Sequence, residues 1–154
     1  MSLTKTKQPF LALSKICLNN WHYIDQKVLS FNDGINFFTG HSGSGKSTVI
    51  DAMQIVLYAN TDGRGFFNKA AADDSDRNLI EYLRGMVAVG EKDEVTYLRN
   101  KNFSTTIVLE FTQTESDEKE CLGVVFDVDT ARNDTSTLFF WHKGGILENA
   151  YRTE

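Results

Sequence analysis

The stretch Gly40-His41-Ser42-Gly43-Ser44-Gly45-Lys46-Ser47 constrains this chain more than any other part of it. Gly40, Gly45, Lys46 and Ser47 meet the pattern G-x-x-x-x-G-K-[ST]. Such a loop curls so that successive backbone N–H groups converge on one anion. Glycine tolerates the positive φ values and the close approach that this needs, and Gly43 and Gly45 are best placed for it. Lys46 would reach the β- and γ-phosphates of a nucleoside triphosphate, and the Ser47 hydroxyl would take one Mg²⁺ position. Thr48 falls in the first helical turn, near the α-phosphate, where the positive end of the helix dipole adds attraction. The expected nucleotide-binding residues are therefore Gly40, Ser42, Gly43, Ser44, Gly45, Lys46, Ser47 and Thr48, with ATP and Mg²⁺ as cofactors. His41 is read as a variable position of the loop.

The motif carries meaning only with a strand before it and a helix after it. Residues 35–39, Ile-Asn-Phe-Phe-Thr, read as that strand. Residues 46–59 read as the helix, apolar on most sides through Val49, Ile50, Ala52, Met53, Ile55, Val56 and Leu57, as buried helices are. Upstream, residues 10–18 read as a strand whose odd positions Leu11, Leu13 and Cys17 are its apolar ones, broken by Asn19-Asn20. Residues 28–31 read as a second strand, followed by the turn Asn32-Asp33-Gly34. Downstream, residues 76–84 read as a helix with Leu79, Ile80 and Leu83 on its apolar face and Gly85 as its close. Strands are expected at 94–98, 105–112, 121–128 and 136–142, spaced as an antiparallel meander. Within 105–112, Ile107, Leu109 and Phe111 alternate with Val108 and Glu110. The fold class is α/β of mixed α+β character: an antiparallel β lobe plus a phosphate-loop strand–helix unit. Residues 1–9 read as a loose tail or cloning scar, and 10–154 as one domain.

The 154 residues suit one domain, and 41% hydrophobic residues suffice for one core. The net charge of −5 argues against a domain that binds nucleic acid by overall charge. Cys17 and Cys121 stand too far apart in sequence for a disulfide framework or a zinc site. His22, His41 and His142 show no ligand spacing. No apolar run approaches the ~18 residues of a membrane span, and the first nine residues are polar, without the apolar run of an export signal. A reducing cytoplasm and no membrane partner are the expectation.

The residues around the loop resemble a known family. Leu18-Asn19-Asn20-Trp21-His22-Tyr23, Leu29-Ser30-Phe31 and Gly34 through Ala52 look like the N-terminal head segment of SMC-like ABC-type ATPases. These include SbcC-, RecF- and MukB-like proteins and the condensin-like JetC type of bacterial plasmid defence. About 30 residues of β pattern precede the loop, as in ABC-type heads. Kinase- and GTPase-type domains usually place it after their first strand. The resemblance covers residues 10–112 and is strong at 18–52. It implies that Asn20, Trp21 and His22 lie near the base or ribose, although Trp21 serves equally well as a core residue. It also implies that Arg84, in Leu83-Arg84-Gly85, lies near nucleotide and DNA; the plain alternative is a solvated arginine at a helix C-terminus.

The sequence departs from that family in what it lacks. It has no LSGG-type signature, since Lys143-Gly144-Gly145 lacks the preceding serine, no Asp-Glu Walker B and no heptad run. The expectation is an N-terminal part of a longer chain whose coiled coil and C-terminal head half lie elsewhere. Partners are then that half, a second head on ATP binding, and DNA through the parent complex, in repair, plasmid defence or chromosome organisation. The chain alone is expected to turn over ATP weakly or not at all.

Two other readings stay open at this point. In one, the chain is a self-contained P-loop NTPase or kinase, with Asp127 at the end of Leu122–Phe126 as the Walker B aspartate. In the other, it is a nucleotide-binding or assembly module without catalysis. Gln113 is a candidate Gln-loop residue or part of an ordinary turn. Asp51 reads as a helix-surface residue or a partner to a site residue, rather than a base. Arg64, Lys69, Arg77 and Arg84 interleave with acidic residues, which favours a mixed solvated surface over a DNA contact.

Overall fold

A computed structural model describes residues 9–40, 45–58, 79–89 and 95–151. Its frame is a five-stranded antiparallel sheet in the order β2-β1-β5-β6-β7. The strands are β1 (Leu11–Trp21), β2 (Ile24–Ser30), β5 (Phe103–Gln113), β6 (Lys119–Asp129) and β7 (Asp134–Lys143). β3 (Met86–Val89) and β4 (Val95–Tyr97) form a separate two-stranded sheet. Helices α1 (Lys46–Tyr58) and α2 (Leu79–Arg84) complete the described elements. The expected meander is β5-β6-β7, while β1 inserts beside β5 and carries β2 at the edge.

The two helices share one face of the sheet. Val49, Ala52, Ile55 and Val56 of α1 and Leu79, Tyr82 and Leu83 of α2 pack on Ile16, Leu18, Trp21, Ile107, Leu109, Val124, Phe126 and Val128. The alternation expected in β5 holds, with Ile107, Leu109 and Phe111 on this side. In β1 it changes phase. Leu13 opposes Phe111 but Lys15 opposes Glu110, so Ser14 is an extra residue, a β-bulge. Beyond it the even positions Ile16 and Leu18 face the helices, and Cys17 turns to the other side. The bulge therefore corrects the odd-position reading of this strand after Leu13. Asn19-Asn20 does not break it either: the ladder with β2 runs to Trp21 opposite Ile24.

The opposite face has a smaller core of Cys17, Val108 and Cys121, with Val28, Phe140, Ile146 and Tyr151 against it. Residues 144–151 cross this face as a strap. Gly144 N–H donates to Lys119 O at 2.8 Å, Ile146 N–H to Glu110 Oε2 at 3.0 Å, and Thr106 Oγ1 to Tyr151 O at 3.2 Å. The buried Glu110 carboxylate also accepts Ser14 Oγ–H at 2.8 Å, so both its oxygens are hydrogen-bonded.

Residues 35–39 are not a strand. They run without a ladder partner among the described residues, and Ile35 and Phe37 are 77% and 83% exposed. β structure needs a neighbouring strand to receive its N–H and C=O groups, and among the described residues none lies beside this segment. The Asn32 turn does form, closed by Asn32 N–H on Asn36 Oδ1 at 2.7 Å and Asn36 Nδ2–H on Asn32 O at 3.1 Å.

Candidate functional site

α1 begins where the glycine loop ends. Gly45 has φ 92°, a conformation that side chains resist, and its carbonyl accepts the first helical hydrogen bond from Val49 N–H at 3.2 Å. No acidic residue stands in the first turn of α1, so the helix's own first turn does not offset its positive end. The Lys46 ammonium arches back to donate to Gly40 O, spanning the loop from its end to its start. Ser47 is exposed in the same turn. His41, Ser42, Gly43 and Ser44 lie outside the described residues.

This turn opens onto a cleft of about 620 Å³. Gly45, Lys46, Thr48 and Val49 form one wall; Tyr23, Lys27 and Leu29 of the β1–β2 hairpin and Phe31 and Phe38 form others. A void of that size suits a nucleotide. Sequence reasoning missed Tyr23 and Lys27. Tyr23 is 59% exposed at the hairpin tip, with the His22 ring edge-on at 4.1 Å. The signal was an aromatic beside a strand break, but the motif drew attention to its neighbours.

Several expected contacts are corrected by the geometry. Trp21 is fully buried; its ring meets Tyr82 at a tilt, centroids 5.0 Å apart, and it donates its indole N–H to Thr48 O at 2.8 Å. Trp21 therefore fills the core and anchors the first turn of α1, instead of touching a ligand. Asn20, at φ 50°, donates Nδ2–H to Ser104 O at 3.0 Å, and its carbonyl receives Thr105 Oγ1–H at 2.8 Å. Its amide is committed to β5, because the strand end needs a partner there. Neither residue lines the cleft.

Arg84 is held away from it too. Its guanidinium lies over Tyr97 at 3.9 Å, with Nε–H donating to Arg99 O at 3.1 Å and Nη2–H to Asn100 Oδ1 at 3.4 Å. Beside it, Arg99 donates to His22 O and to Leu83 O, which joins the hairpin tip to α2. Burial lowers the Arg99 pKa from its usual value, and Asp25 acts against that shift.

Asp51 is buried, not on the helix surface, and its Oδ2 accepts the Tyr82 hydroxyl at 2.9 Å. It ties α1 to α2. Asp127 does not meet the loop. Val124, Phe126 and Val128 point toward the helices, so the period-two alternation turns Asp127 to the opposite face, where Ser104 Oγ–H bonds it. That orientation removes the Walker B reading of Asp127. Gln113 ends β5 opposite Leu11, at the far end of β1 from Trp21. It shapes an ordinary turn through Ser116 and Glu118, which removes the Gln-loop reading. Arg64, Lys69 and Arg77 lie outside the described residues.

The comparisons agree with the motif at its coarser level. Residues 13–74 match the family described as the P-loop containing region of AAA domain. That span holds most of β1, all of β2, the glycine loop and α1. The match supports a P-loop, ATPase-type nucleotide-binding region. No curated protein matches the chain. Among the described residues no helix is long and apolar enough to cross a membrane, and no cluster of three or more His, Cys, Asp or Glu is set to hold a metal.

Proposed function

We propose that this chain is the ATP·Mg²⁺-binding N-terminal half of an SMC-like ATPase head. The observation that carries the reading is the cleft at the start of α1, with Lys46 and Thr48 on one side and Tyr23 on the other. In this reading the triphosphate displaces Gly40 O as the partner of the Lys46 ammonium, and the base lies toward the Tyr23 side. Ser47 Oγ and phosphate oxygens would hold Mg²⁺, a hard cation suited to an exposed hydroxyl and anionic oxygens. When bound, the ion offsets phosphate charge. Lys46 and the α1 N-terminus offset the remainder, which is the protein's main contribution to phosphoryl transfer.

Residues 35–39 support the second half of the reading. Ile35 and Phe37 are apolar, extended and exposed. A strand from a complementary head half would cover them and supply catalytic carboxylates, which the described residues do not bring to Lys46. A second head engaging on ATP binding, and DNA as the object of the work, follow from the same reading.

Titration calorimetry with a slowly hydrolysed ATP analogue and Mg²⁺ tests the nucleotide step. Binding by the wild-type chain and its loss in Lys46→Ala are expected. Absence of binding by the wild-type chain, or equal binding by Lys46→Ala, would overturn the proposal. Fast turnover by this chain alone would overturn its status as half a head.

A further inference from the structure

Two strands end the five-stranded sheet, and their edges differ in kind. β2 exposes Asp25 and Lys27 within its run, charges that oppose pairing with another strand. β7 has ten residues with neither proline nor glycine, and its acidic and basic side chains, Asp134 and Lys143, stand only at its ends. Its middle is apolar and uncovered: Leu138 is 65% exposed, Trp141 52% and Phe139 40%. Phe139 and Trp141 oppose Val124 and Leu122 on β6, which places them on the helix side of the sheet; Leu138 lies on the strap side. A long, uncharged apolar edge is a template for a further strand.

The charge pattern says which strand fits. Antiparallel pairing with a second β7 brings each Asp134 end to the other copy's Lys143 end. Parallel pairing would set like charges together. The neutral middle meets itself without penalty. A second copy of this chain is thus complementary to β7 along its whole length.

We propose that two copies of this chain associate through β7, edge to edge and antiparallel, so that their two five-stranded sheets become one continuous sheet. A two-fold axis perpendicular to the sheet keeps each face on its own side, so opposed residues share parity. Leu138 or Phe139 then sits on the axis, opposite its own counterpart. This contact lies on the far side of the sheet from β2 and the nucleotide cleft, and it needs no nucleotide.

Sedimentation velocity without nucleotide tests it, in a dilution series up to about 100 μM, where an association of micromolar strength is visible. A monomer–dimer equilibrium is expected. Leu138→Lys, at an exposed side chain, should abolish it, with the melting midpoint unchanged at dilutions where the wild type is already monomeric. Single cysteines placed in turn at positions 135 to 142 provide a second readout. Opposed Cα atoms in an antiparallel pair lie about 4.5–5.5 Å apart, within disulfide reach. Oxidation should link copies best at Leu138→Cys or Phe139→Cys and least at the two ends of the series, Thr135→Cys and His142→Cys. A monomer at every concentration overturns the proposal. So does a dimer indifferent to Leu138→Lys, or cross-linking that does not peak at the centre of the strand. If Leu138→Lys lowers the melting midpoint, the cysteine series alone decides.

Discussion

The indole N–H of Trp21 donates to the carbonyl of Thr48 at 2.8 Å, and this bond joins the last residue of β1 to the first turn of α1. The turn that carries Lys46 and Ser47 is thereby fixed to an inner strand of the sheet. Trp21→Phe keeps a ring against Tyr82 but removes the donor. We expect a loss of about 1–3 kcal/mol, measured as a lower urea midpoint. An unchanged midpoint would show that the bond contributes nothing to the anchor.

The Tyr82 hydroxyl is the corresponding tie between helices. It donates to Asp51 Oδ2 at 2.9 Å, and both side chains are buried. Tyr82→Phe leaves a buried carboxylate short of one donor, and a buried charged acceptor is costly to leave under-bonded. The expected loss is about 2 kcal/mol in the same assay. Asp51→Asn in the Tyr82→Phe background should recover part of it, since the neutral amide tolerates burial better. Equal stability of the two proteins would argue against a hydrogen-bond role for the carboxylate.

Strand phase explains how much of this was legible from sequence. Ile107, Leu109 and Phe111 alternate cleanly in an uninterrupted strand, so the core face of β5 could be read directly. Leu13, Ile16 and Leu18 do not share a parity, because the bulge at Ser14 inserts one residue. A bulge without glycine leaves no sequence signal. The start of α1 was readable from the glycine pattern, but the residue that secures it was not. Trp21 is 27 residues away from Thr48, and only tertiary packing brings them together. The same holds for Asp127: its apolar approach resembles a magnesium-site strand, and only the face it points to decides otherwise. Ile35–Thr39 misled for the opposite reason, since its local pattern is strand-like and a strand exists only with a neighbour.

Cys17 and Cys121 give a pH dependence. Burial, the largest cause, raises both thiols from 9.0 to about 11. Unfolded thiols ionise near 9.0, folded ones near 11, so between those values the unfolded chain holds fewer protons. Stability is therefore retained below pH 9 and falls as pH rises toward 11, by up to about 1.4 kcal/mol per pH unit per thiol. The Tyr151 hydroxyl, also raised mainly by burial, acts in the same direction. Urea unfolding at pH 8 and pH 10 checks this. The double variant Cys17→Ala, Cys121→Ala should show a shallower fall; an identical fall would place the proton release elsewhere.

Gly123 tests the packing of β7 against β6. A Cβ at this position would come within 2.3 Å of the Phe140 ring, which lies over the glycine from the opposed strand. Gly123→Ala must displace that ring, and Phe140 in turn packs on Tyr151 of the strap at 5.9 Å. We expect a loss of about 1–3 kcal/mol and faster labelling of Cys121 by a thiol reagent. Faster labelling without loss of stability would mean that the strap opens separately from the sheet.

Among the described residues the segment from Gly34 to Gly40 has no ladder partner, and this has a thermodynamic consequence for whatever binds at Lys46. Ile16, Leu18, Ile107 and Leu109 belong to a closed hydrogen-bonded sheet, whereas the chain entering the glycine loop has no such frame. Its amides should exchange with solvent far sooner than those of β1 and β5. A ligand that fixes this segment gives up part of its intrinsic affinity as ordering entropy, so a protein that laid a strand beside Ile35 and Phe37 would tighten nucleotide binding without touching the nucleotide.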